Sequence, residues 1–128
     1  MDFEDIKIVD LETKVEPSGS GSAMRRVFLR LSGEPPQLWA ELFDREREFP
    51  RHTMWREAHV SGNHIVVDCV PEEIEKYHLS DLKQDVANAN MKFRSWSKIA
   101  ADRKRALDEA KAKEEERTKD LRKRLDFS

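Results

Sequence analysis

Met54-Trp55-Arg56-Glu57-Ala58-His59-Val60-Ser61-Gly62-Asn63-His64-Ile65-Val66-Val67-Asp68-Cys69-Val70 is the stretch that decides the fold. Gly62 and Asn63 are residue types that tolerate the positive φ of a tight hairpin turn. With these two at the centre of the turn, Val60 faces Ile65, Ala58 faces Val67 and Arg56 faces Cys69. Side chains alternate along a strand. Ile65, Val67 and Cys69 therefore belong to a core face, while Trp55, Glu57, His59, His64, Val66 and Asp68 belong to the other.

Upstream of this hairpin, Leu38, Trp39, Leu42 and Phe43 fall on one helical stripe, with Glu41, Arg45 and Glu48 outside it. Pro35-Pro36 presets the first turn of that helix and Pro50 ends it. Before the helix, Met24 to Leu31 alternates cleanly: Val27, Leu29 and Leu31 point one way, Arg26, Phe28 and Arg30 the other. Glu16-Pro17-Ser18-Gly19-Ser20-Gly21-Ser22 reads as a mobile hairpin loop unable to hold a strand. Ile6, Ile8, Val9, Leu11 and Val15 read as an edge strand, and the change of parity between Ile8 and Val9 predicts a bulge.

Downstream, Pro71-Glu72-Glu73 resembles a helix start, with acids favouring the positive end of the dipole. A short turn through Ile74 and Tyr77 is expected to bend and give way to a second start at Ser80-Asp81. The main helix then carries Leu79, Leu82, Val86, Ala89, Phe93, Trp96 and Ala100 at alternating spacings of three and four, a heptad seam. After Trp96 large apolar residues become sparse. Acid-first pairs four apart, Glu109 with Lys113, Glu115 with Lys119 and Asp120 with Arg124, favour a solvated helix.

The fold expected from these signals is α+β: roughly four antiparallel strands in ββαββα order, two packed helices and a long charged C-terminal helical extension. Residues 1–97 form the globular domain with its loop at 16–22, and residues 98–128 form the tail, either frayed or a coiled coil. Apolar residues make up 38% and charged residues 39% of the 128 positions, and the excess charge sits near the C-terminus. Residues 1–97 hold 13 Lys/Arg against 18 Asp/Glu, a balance of −5, and residues 98–128 hold 11 against 8, a balance of +3. A net charge of −2 argues against a general nucleic-acid binder held by a positive field. The single cysteine excludes an internal disulfide, the longest apolar run is too short to span a bilayer, and the acidic N-terminus lacks a signal-peptide layout. These features imply a cytoplasmic setting without a membrane.

No catalytic motif is visible. There is no G-x-S-x-G elbow, and Gly19-Ser20-Gly21 lacks the third glycine of a dinucleotide fingerprint and precedes a strand. His59, His64 and Cys69 lie in one hairpin, but Cys69 points away from the two histidines, so no metal or other cofactor is expected. Two surfaces remain. Arg26, Phe28, Arg30, Trp55, His59 and Val66 form a candidate interaction surface on the sheet face opposite the core. Phe93, Trp96, Ala100, Leu107, Leu121 and Leu125 form a candidate seam for a homodimer, interrupted by Arg103 and Glu114. The expected function is a protein–protein interaction or scaffolding module, working through a protein partner or self-association. The alternative is single-stranded nucleic-acid binding through Arg25, Arg26, Phe28 and Arg30, helped by Arg122, Lys123 and Arg124. A third class is a subunit of an enzyme whose chemistry leaves no motif.

Overall fold

Val27, Leu29 and Leu31 take their alternation into the centre of a sheet in the computed structural model, which describes residues 3–18 and 23–128. The strands are β1 (Ile8–Leu11), β2 (Glu16–Pro17), β3 (Arg25–Leu31), β4 (Ala58–Ser61) and β5 (His64–Cys69). The helices are α1 (Gln37–Glu46) and α2 (Leu79–Arg124), the latter preceded by a wide, π-type turn over Ile74–His78. Strand order is β1-β3-β5-β4, antiparallel throughout, with β2 lying beside β1 along the outer edge of β3. The α+β architecture with its ββαββα order is thus present, with the first strand broken in two.

The second hairpin has the expected register over its inner pairs, Ala58 with Val67 and Val60 with Ile65. Gly62 sits at φ 59° while Asn63 stays at negative φ, the sign pattern of a type II′ turn with glycine first. The outer part differs. Strand β4 begins at Ala58, so Trp55, Arg56 and Glu57 lie in the preceding loop, with only the Asp68 N–H to Glu57 carbonyl bond carrying the ladder further. Trp55 is held away from the strand face because its indole donates to the Arg47 carbonyl.

The predicted bulge is present, as the β1–β3 register shifts between Ile8 and Asp10. The loop expected at 16–22 starts later: Glu16 and Pro17 pair with Arg26 and Arg25. Proline is tolerated there because an edge strand's missing N–H deprives no neighbour. Gly19 to Ser22 lie outside the described residues.

Helix α1 buries Trp39 and Phe43, whose rings stack with centroids 5.8 Å apart. It ends at Glu46, ahead of Pro50, because its last turn tightens: Arg47 and Glu48 donate to carbonyls three residues back, at Asp44 and Arg45. The second helix start expected at Ser80-Asp81 is absent. The Leu79 N–H bonds the Ile74 carbonyl, a five-residue step that passes the wide turn into α2 without a break.

The chain divides into two units, Met1–Arg94 and Ser95–Ser128. In the first, Val27, Leu29, Leu31, Ile65, Val67 and Cys69 meet Trp39 and Phe43 of α1 and Leu82, Val86, Ala89 and Phe93 of α2 in one core. Phe93 also packs on Phe3, centroids 4.5 Å apart. In the second unit the helix is exposed along nearly all its length, Ser97 and Ala100 being half-buried, and the ion pair among its described residues is Asp102 with Arg105, three apart, where the sequence suggested pairs four apart. Pairs worth only ~0.2–0.5 kcal/mol do not hold hydrated side chains in one geometry. Among the described residues no helix is long and apolar enough to cross a membrane.

Candidate interaction site

Strand β1 is the outer strand of the sheet, so one row of its backbone groups has no strand partner. Which groups these are follows from the ladder. The Ser32 N–H bonds the Lys7 carbonyl and the Glu12 N–H bonds the Phe28 carbonyl. Ile8 and Leu11 are therefore non-hydrogen-bonded pairs with β3, and their own N–H and C=O face outward. At the start of the strand α2 covers this edge. The Asn90 side chain accepts from the Ile6 N–H at 3.0 Å and donates to the Ile6 carbonyl at 2.9 Å, imitating the next strand, while its oxygen also takes the Trp39 indole N–H at 2.8 Å. Past Ile6 the cover stops, and among the described residues the Leu11 N–H is met by the side chain of its neighbour Asp10 at 2.8 Å.

Beside the uncovered part lie two adjoining clefts that share Ile8 and Lys83. One, of about 360 Å³, runs between Ile6 and Val86; the other, of about 410 Å³, has Ile8, Leu11, Leu29, Ile74 and Leu79 as its apolar surface. Val9 is 55% exposed and Leu11 49% exposed at this edge. Asp10, Glu72, Glu75 and Lys83 ring the larger cleft, three acids to one base.

Arg26, Phe28, Arg30, His59 and Val66 do share the sheet face opposite the core, as the register of β3, β5 and β4 requires. Trp55, off the strand in the loop before β4, meets this face only at its margin, where it lines a shallow cleft with Arg26 and Asp68. Its ring carries the guanidinium groups of Arg47 at 3.6 Å and Arg51 at 4.5 Å. On the outer face the arginines are engaged by carboxylates: Arg30 binds Glu12 at 2.8 Å and Asp10 at 3.0 Å, and Arg26 stands 3.9 Å from both Glu16 and Asp68. Val66 is 4% exposed between its cross-strand neighbours Phe28 and His59. Of the seam residues, Phe93 is buried in the first unit, Trp96, Leu107 and Leu121 are exposed, and Leu125 falls just past the end of α2.

The sequence reading missed four buried polar side chains. Arg47 and Asp85 form an ion pair at 3.1 Å with side-chain exposures of 4% and 0%, and Arg51 reaches the other Asp85 oxygen at 2.7 Å. Burial lowers the Arg47 pKa, opposed by its bond to Asp85. Asn90 is the second case, 5% exposed, and His78 the third, 1% exposed. Asp85 and Asn90 sit three past Leu82 and four past Val86, a helical spacing that puts them on the buried side; this was the signal available.

His78 belongs to a group with Cys69 and Glu73 in which one ligand atom from each lies within 4.8 Å of the others. Burial pushes the Cys69 thiol up to about 11 and lowers the His78 imidazole, whereas hydrogen bonding from Arg56 lowers Glu73. Compared with protein-family models, curated proteins and solved structures, the chain has no match. Functional reading therefore rests on this geometry alone.

Proposed function

We propose that the first unit is a protein–protein interaction module, and that its site is the cleft along β1. The occupant is an extended partner segment with apolar side chains at alternate positions and basic ones between them. The observation that carries this reading is the apolar cleft beside outward-facing backbone at Ile8 and Leu11, ringed by Asp10, Glu72 and Glu75. An added strand gains main-chain hydrogen bonds, and every second side chain enters the cleft. Val9 and Leu11 are half exposed already, so completing their burial contributes about 1 kcal/mol each, half of what full burial gives. Such small terms suit a transient complex of roughly micromolar to submillimolar Kd. A cytoplasmic setting, with Cys69 kept out of any disulfide, is part of the same proposal.

The test is selection of random peptides on the full chain, followed by calorimetry and amide chemical-shift mapping of the best binder. Enriched peptides should alternate apolar and Lys/Arg positions and shift amides at 6–11 and 74–83. Leu11→Glu should weaken binding at least about tenfold (~1.4 kcal/mol) while leaving the unfolding midpoint unchanged. Shifts confined to Arg26, Phe28 and Arg30, with salt-sensitive binding of a single-stranded oligonucleotide, would replace this reading with the nucleic-acid one.

A further inference from the structure

We propose that Cys69, Glu73 and His78 form a binding site for a thiophilic divalent metal ion of the zinc class. Among the described residues they are the one group of three metal-ligating side chains brought together, and they combine a thiol, an imidazole and a carboxylate. Zinc bonds of about 2.3 Å to sulfur and 2.0–2.1 Å to nitrogen and oxygen give tetrahedral edges of roughly 3.3–3.6 Å. The His78 Nε2 to Glu73 Oε1 separation of 3.5 Å is an edge of that size, and it is long for a hydrogen bond.

The backbone is built around this meeting. Glu73 and His78 are five residues apart, which in an α-helix would set them about 140° apart around the axis. The π-type turn over Ile74–His78 widens the ring to five-residue steps and returns His78 to the side of Glu73. Single π-type turns are frequent at functional sites. Cys69 closes the third side from the last position of β5.

The carboxylate is already positioned from outside, as metal ligands are by their outer partners. The Val70 N–H donates to Oε1 at 3.2 Å, and Arg56 reaches Oε1 and Oε2 at 3.2 Å each. On binding, the thiol proton leaves to solvent as the sulfur–metal bond forms. The thiolate and carboxylate then offset the two charges of the ion, leaving the Arg56 guanidinium as the net charge beside a site where Cys69 is 0% and His78 1% exposed.

Cys69 is the only cysteine in the chain, so a thiolate signal has one source. Metal-free full-length protein is titrated with Co²⁺, an optical stand-in for Zn²⁺. The expected result is a near-ultraviolet thiolate-to-cobalt charge-transfer band, with intense visible bands of a four-coordinate ion. Both should saturate at one equivalent and be displaced by Zn²⁺. His78→Gln and Glu73→Gln should each weaken affinity on the order of 100-fold, since even outer partners are worth 10–100-fold. Thermal unfolding without metal checks that each variant is folded, and Zn²⁺ should raise the midpoint of the parent chain only. Absence of the charge-transfer band, or a band of equal affinity in both folded variants, overturns the proposal.

Discussion

Replacing Asp85 by alanine tests what holds α1 and α2 together. The Asp85 carboxylate is fully buried and accepts from two arginines that differ in burial, Arg47 at 4% and Arg51 at 39% side-chain exposure. Removing the carboxylate strands the Arg47 guanidinium, which keeps one bond to the Arg56 carbonyl and its stacking on Trp55. A buried charge left without its partner costs about 3–5 kcal/mol, or a fall of roughly 15–30 °C in the midpoint for a unit of this size. Arg51→Ala should cost no more than about 1 kcal/mol, because a solvated pair is screened. The double replacement Arg47→Met with Asp85→Leu should recover at least ~2 kcal/mol of the single loss, as apolar isosteres remove both desolvation costs. Urea unfolding followed by tryptophan fluorescence reads all four proteins. A cost below ~1 kcal/mol for Asp85→Ala, or a double variant no better than the single, would refute the reasoning.

Asn90→Ala leaves the Trp39 indole N–H and both backbone groups of Ile6 without partners. A loss of about 2–4 kcal/mol is expected, with hydrogen exchange at the Ile6 amide accelerated ahead of amides in β5. Stability should also fall with acid in a window set by His78. Burial holds its folded pKa below its unfolded value, opposed by Glu73 and reinforced by Arg47 and Arg56. The unfolded chain therefore binds the extra proton, and this stabilisation is complete above about pH 6.5 and lost as pH falls through the folded value. Glu73, lowered chiefly by Arg56, adds a second loss beginning below about pH 4.3. Chemical unfolding between pH 8 and 5 should show the upper slope in the parent chain and a flatter one in His78→Gln; equal slopes would remove His78 as the cause.

What was legible in the sequence is what periodicity encodes. Alternation in Val27-Phe28-Leu29-Arg30-Leu31, the Gly62-Asn63 turn and the parity change at Ile8 determined the strands, their inner register, the bulge and the core face. Spacings of three and four determined both helices and their buried sides. These are local patterns, because a side chain's face follows from its neighbours two, three or four positions away. The tertiary structure decided where individual polar atoms go. Trp55 obeyed the strand pattern in sequence, yet its indole found the Arg47 carbonyl and its ring two guanidinium groups, contacts made across a loop. Asn90 covers the edge of a strand 84 positions away, and Asp85 gathers arginines from 34 and 38 positions away. The cleft along β1 and the Cys69–Glu73–His78 group arise the same way, from an open sheet edge beside a helix and from one widened turn. Such meetings depend on distance in space after folding, which composition and spacing do not record.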